Sequence, residues 1–238
     1  MAPVCAWHDE RVCTVVVRWA IGQPTRILAL RDELTTREFD DPDRWWPELP
    51  DLVGGRDRVA GGTWCANRVG TGVTAMVLNR PPKRVADPGA PSRGVLPLLA
   101  ATHESGWTDH VDTTGMASFA LVLATPSLLT TWEYDGTHLR QTELGPGTHM
   151  VTSGGAEDGK AGRYLDRFDA AEFPAGWRAI VEAERPQDDP ASLLVRHAAD
   201  TFVYATVFGQ LIDAEPGRLD IEYSRTPWVS GSWRRYAV

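Results

Sequence analysis

The stretch "TTWEYDGTHLRQTEL", residues 130–144, constrains the fold more than any other part of the chain. An Asp-Gly pair, here Asp135 and Gly136, accepts the positive φ that a two-residue hairpin turn demands, so the runs on either side pair antiparallel. Comparable apolar runs, many of them β-branched, recur at 13–19, 26–30, 74–78, 118–125 and 202–211, most of them bounded by turn residues. "GTGVTA", residues 70–75, matches the G-x-G-x-x-A form of a dinucleotide fingerprint. A strand-like run follows it, whereas a pyrophosphate needs a helix N-terminus, so a tight hairpin turn is expected there.

Helical signals are fewer. Ala161, Tyr164, Leu165 and Phe168 fall on one face at helical spacing, and Trp177, Ile180 and Val181 repeat the stripe after Pro174. Ser92 precedes a third candidate, "RGVLPLLAATHE", with Pro97 inside it. Strands in hairpins with helices in separate blocks predict an α+β layered domain. No linker or internal repeat divides the 238 residues, so one domain is expected. Residues 34–62 are poorly periodic and contain "DDPDRWWPELPD"; Trp45 and Trp46 there either rim a pocket or tack down a long loop.

A net charge of -8, with basic residues scattered, argues against a nucleic-acid surface. Lys83 and Lys160 are the chain's lysines; every other basic side chain of this class is arginine. No apolar stretch approaches the roughly 20 residues that span a bilayer, and the start lacks the apolar core of a secretion signal, so the cytoplasm is the expected location without membrane insertion. Cys5, Cys13 and Cys65 are an odd set, which predicts free thiols. Cys5, His8 and Cys13 have no fourth ligand at a structural spacing, and no metal is assigned. His103, His110, His138, His149 and His197 are isolated in sequence, and spacing selects none of them.

The first two runs flank "AIGQPT", and pairing Trp19 with Arg26 places Cys13 opposite Asp32, with Arg31 beside it. A nearby guanidinium favours a thiolate, and a carboxylate orients a protonated amine or holds the arginine. Were Cys13 the first residue, its own α-amino group would take the thiol proton; as an internal residue it has no such base. A buried cysteine beside a strand-capping ion pair is the alternative reading of the same residues.

"VCTVVVRW", "ILALRDEL", "GGRD", "GGTW", "VLNRPP" and "SRG" resemble, in order and spacing, the NRDE family, also called transport and Golgi organisation protein 2. Arg31-Asp32-Glu33 matches its Asn-Arg-Asp-Glu box, Gly55-Arg56-Asp57 and Gly61-Gly62-Thr63-Trp64 the next blocks, and Ser92-Arg93-Gly94 the fourth. The blocks span roughly the first 95 residues; later strands match in pattern alone. Leu30 stands where the box has Asn, and Gly154 after Ser153 where the family has Ser-Asn.

The resemblance implies an N-terminal-nucleophile hydrolase type of fold, an αββα four-layer sandwich of two mainly antiparallel sheets. It implies Cys13, Arg31, Asp32 and Asn79 as catalytic residues, with Asn79 the oxyanion donor as in cysteine amidases such as the cholylglycine hydrolases and penicillin V acylases. Glu33, Arg56, Asp57, Trp64, Arg93 and Ser153 are the implied substrate contacts. The implied activity is hydrolysis of a small amide or acylated compound, with no required cofactor. The alternative it permits is a haem or hydrophobic small-molecule binding and trafficking protein, with some of the ten tryptophans lining the pocket. The family typically begins Met-Cys-Thr, and Arg-rich, Lys-poor usage suggests a GC-rich bacterial gene in which a valine codon also initiates. Val12 is therefore the expected initiator, residues 1–12 a non-native or processed extension, and 13–238 the domain.

Overall fold

The computed structural model describes residues 13–81, 86–154 and 159–237, so the expectation for residues 1–12 lies outside the described residues. Its strands are β1 (Thr14–Trp19), β2 (Thr25–Leu34), β3 (Leu52–Gly54), β4 (Cys65–Arg68), β5 (Val73–Asn79), β6 (Phe119–Ala124) and β7 (Leu129–Tyr134). β8 (Leu139–Glu143), β9 (Gly147–Thr152), β10 (Arg196–Ala198), β11 (Val203–Glu215), β12 (Arg218–Ser224) and β13 (Arg234–Tyr236) complete them. The helices are α1 (Leu96–His103), α2 (Gly159–Ala170) and α3 (Ala175–Ala183).

The strands form two antiparallel sheets. One runs β13-β12-β11-β2-β1-β9, with β10 also on β11; the other runs β3 to β8 in chain order. Val15, Val17, Ile27, Ala29 and Ile212 of the first sheet share one core with Cys65, Met76, Leu78 and Val122 of the second. Alternate residues turn the other way. Val16, Leu28, Leu30 and Leu211 pack on Tyr164, Phe168, Trp177 and Val181 of α2 and α3. Ala75, Leu121 and Leu123 pack on Leu98, Ala101 and Trp107, from α1 and the tight helical turn after it. Helices therefore cover the outer face of each sheet. Strands buried on both faces read as continuous apolar runs, which is why 13–19 shows no alternation.

The local signals map onto this frame. β7 and β8 pair across Asp135 and Gly136, whose φ is 95°, and "GTGVTA" opens with the β4–β5 turn, with Gly70 and Gly72 both at positive φ. Pro97 lies in the first turn of α1, where a missing N–H costs nothing. The stretch 34–62 is less irregular than its sequence suggests, since β3 pairs with β4 inside it. At the far end of β1, Arg18 donates to the carbonyls of Phe168 (2.6 Å), Asp169 (2.8 Å) and Ala171 (3.2 Å), satisfying acceptors at the end of α2.

The β1–β2 register differs from the sequence expectation by one residue. Arg18, not Trp19, pairs with Arg26, and Thr14 pairs with Leu30, which continues to Cys13 beside Arg31 rather than Asp32. Strands apolar on both faces fit either register, so the turn decides. Gln23 N–H donates to Ala20 O (3.1 Å) and Gly22 takes φ 74°, which leaves Trp19 paired with Gly147 of β9 instead. Among the described residues no helix is long and apolar enough to cross a membrane.

Candidate active site

The corrected register puts Cys13 and Arg31 on the face between the sheets, the face of Val15, Val17, Ile27 and Ala29. Asp32, one residue on, turns its carboxylate to the helix-facing side. Cys13 is half-buried, and its Sγ hydrogen-bonds the backbone of Asp32, accepting from N–H at 3.5 Å and donating to the carbonyl at 3.6 Å.

Arg31 is 5% exposed and is held from several directions. Its guanidinium lies 4.6 Å from the Trp64 ring and 5.1 Å from that of Phe39. Nη2 donates to Asp57 Oδ2 at 3.1 Å and approaches Glu33 Oε2 at 3.5 Å. Asp57 also takes two bonds from Arg37, at 2.6 and 3.1 Å. Two cations and two carboxylates thus neutralise one another beside the thiol.

The loop carrying Asp57 is built for that contact. Its Oδ1 accepts from the N–H groups of Val59 and Ala60, both at 3.0 Å, and its own N–H donates to Gly62 O at 2.9 Å. Gly62 lies against Gly94: a Cβ there would come within 2.4 Å of the Gly94 carbonyl, while Thr63 N–H donates to that carbonyl at 2.9 Å. The "GGTW" and "SRG" blocks are the two sides of this backbone contact. Arg93 Nη1 then reaches Ser118 O at 2.9 Å.

Cys13, Arg31, Asp32, Glu33, Asp57, Trp64, Asn79 and Arg93 line one cavity of about 120 Å3. Sequence reasoning missed Arg37, Thr63 and Ser92 in the same wall; Arg37, four residues after Glu33 and 3.7 Å from it, was open to detection as a charge pair. Two expected contacts lie elsewhere. Arg56 pairs with Asp40 at 2.7 Å and stacks 4.4 Å from the Trp45 ring, on the loop surface. Ser153 does not line the cavity; it is 1% exposed behind it, where its N–H donates to Cys13 O at 3.2 Å. Trp45 and Trp46 tack the loop down, their indole N–H groups donating to Asp41 O and Gly61 O, and do not rim the cavity.

Desolvation dominates the electrostatics. Burial pushes the Cys13 thiol up to about 12, and the Asp32 charge adds to this against the pull of the Asp32 N–H and Arg31. Burial raises Asp32 to about 6 even though Lys160, a Thr206 hydrogen bond and Arg31 all favour its ionised form. Asp57 goes the other way: burial opposes it, but Arg37 and the Ala60 N–H hold it below the usual carboxylate range. A thiol at about 12 is protonated at neutral pH, and among the described residues no histidine lines the cavity to take its proton. Among the described residues no group of three His, Cys, Asp or Glu is placed to hold a metal ion. No family model matches this chain, and no curated protein matches it.

Two outcomes follow from this geometry. Gly62→Ala drives a methyl into the Gly94 carbonyl and should cost about 1–3 kcal/mol in denaturant unfolding, through overpacking of a backbone contact. For Asp32, the folded chain binds a proton that the unfolded chain releases between its ordinary value of 3.8 and about 6, so stability should fall as pH rises through that window. The fall is about 3 kcal/mol by the raised value, and Asp32→Asn should flatten it in unfolding curves taken across that range.

Proposed function

We propose that this chain is an NRDE-family protein of the N-terminal-nucleophile hydrolase type and that it hydrolyses a small amide or acylated compound through Cys13. The observation that carries this reading is convergence. Cys13 from just before β1, Arg31 from β2, Asn79 from the end of β5 and Arg93 from the turn before α1 line one cavity, although up to 80 positions separate them. A thiol, a fixed guanidinium and a carboxamide in one wall are the parts acyl transfer needs: a nucleophile, a cation and a donor for the oxyanion.

The sandwich of two antiparallel sheets under outer helices supports the fold half of the proposal. The departures from the family pattern do not touch the cavity. Leu30 points away from it into the helix-facing core, 2% exposed, and Gly154 lines a separate hollow of about 520 Å3.

The chemistry requires a base, and the α-amino group of a chain beginning at Cys13 supplies it. That amine takes the thiol proton as Sγ attacks the carbonyl carbon; Asn79 donates to the oxyanion; the proton passes to the leaving amine as the C–N bond breaks. Water then attacks the thioester, releasing the acid and restoring the thiol. A cavity of about 120 Å3 is smaller than the ~300–1,000 Å3 of whole-ligand pockets, so it admits the reacting group. The rest of the substrate would extend towards the 520 Å3 hollow, whose lining includes Arg80, next to Asn79 in the chain, and Ser118, whose carbonyl accepts from Arg93. A cytoplasmic setting belongs to the same proposal, in keeping with the free thiols of Cys13 and Cys65. The haem-binding alternative draws no support from a cavity this small, lined by Arg31, Glu33, Arg37, Asp57 and Arg93.

The test is turnover of a panel of small N-acyl amides by protein whose chain begins at Cys13, followed by mass spectrometry for product and for an acyl adduct. Cys13→Ala should abolish turnover and adduct, and Asn79→Ala should lower turnover about 100- to 1,000-fold. Turnover that survives Cys13→Ala contradicts the proposal.

A further inference from the structure

Behind the cavity, on the helix-facing side of the first sheet, lies a polar cluster to which the chemistry above gives no work. Lys160, in the first turn of α2, is fully buried, and its Nζ donates to Thr14 Oγ1 at 2.9 Å. Thr14 follows Cys13 directly and pairs with Leu30, two residues before Asp32 on the same face of β2. Asp32 is 1% exposed. Its Oδ1 accepts from Thr206 Oγ1 at 2.6 Å and its carbonyl from the Tyr204 hydroxyl at 2.8 Å, while Oδ2 has no hydrogen-bond partner.

We propose that Lys160 is the counter-charge that keeps Asp32 ionised, a positioning residue that reaches from α2 to the strand ends carrying Cys13 and the Arg31-Asp32-Glu33 box. A buried ammonium and a buried carboxylate are each costly alone, and one polar cluster on one face lets each offset the other's desolvation. The composition agrees. Among the described residues Arg163, Arg167 and Arg218 make surface ion pairs, whereas Lys160, one of the chain's two lysines, is fully buried. The flexible lysine stem and point charge fit a crowded helix-to-sheet contact where a planar guanidinium needs a wider slot.

The other charged groups near Asp32 do not replace Lys160. Arg31, on β2, faces the opposite side of the sheet and is matched by Asp57 and Glu33. Glu33 works against ionisation of Asp32, as does the thiol of Cys13, just before β1, once it ionises. From β11 come only neutral hydroxyls, Thr206 and Tyr204. Lys160 favours the ionised carboxylate more strongly than Arg31 does. What this does for catalysis rests on the hydrolase proposal, in which ionised Asp32 helps hold the amine at the head of β1. The Lys160–Asp32 coupling itself does not rest on it.

The test reads protonation of Asp32 rather than turnover, so it stands whether or not the protein is a hydrolase. In the full chain, the infrared band of a protonated carboxyl is followed against pH, and Asp32→Asn assigns it. Wild type should titrate near 6. Lys160→Met should move the midpoint up by about one pH unit or more, leaving a protonated band at neutral pH, while Lys160→Arg should stay nearer to wild type. A midpoint unchanged in Lys160→Met overturns the proposal. Should Lys160→Met fail to fold, the double variant Lys160→Met/Asp32→Asn decides. Recovery of folding in the double variant supports the coupling, and equal or greater instability overturns it.

Discussion

Arg31 carries a positive charge into the space between two sheets, and a charge placed there must be met within hydrogen-bond reach. Much of what surrounds the cavity follows from that one requirement. Asp57 meets the guanidinium from one side, and the loop holding Asp57 closes by its own turn bonds and by the Gly62–Gly94 backbone contact. Trp64 and Phe39 cover the faces of the guanidinium, with Phe208 packed against both rings. The sequence blocks "RDEL", "GGRD", "GGTW" and "SRG" thus form one connected support, each holding the next.

Cys13 sits at the edge of that support, and burial keeps its thiol neutral. Opposite charges cancel within the cluster: Arg31 and Arg37 are matched by Asp57 and Glu33, which leaves little net field to draw out a thiolate. In the hydrolase proposed above, a site so balanced would position the nucleophile without activating it. Activation would then fall to the backbone nitrogen of Cys13. As an amide it is inert; as an amine it is a base of suitable strength.

Much of this was legible in the sequence, and the rest was hidden for identifiable reasons. Asp135-Gly136 fixed a hairpin because few residues accept its φ values, and β-branched runs marked core strands. The β1–β2 register was not legible, since residues apolar on both faces suit two pairings and the turn at Ala20–Gln23 chooses between them. That single residue moves Cys13 from Asp32 to Arg31 and sends the Asp32 carboxylate to the other side of the sheet. Arg56 and Ser153 were named from ordered blocks, and order says nothing about which way a side chain points. Lys160 was visible only as a rare lysine in an arginine-rich chain; its burial emerges once α2 is laid on β1 and β9.

The most direct measurement is the pH dependence of Cys13 alkylation by a small uncharged reagent, read by mass spectrometry at that residue. It is made on the chain that retains residues 1–12 and on a chain beginning at Cys13. Alkylation in the longer chain should rise only towards about 12, while the chain with a free amine should react with a midpoint several units lower. Identical profiles in the two chains would contradict the claim that the Val12–Cys13 bond governs the nucleophile.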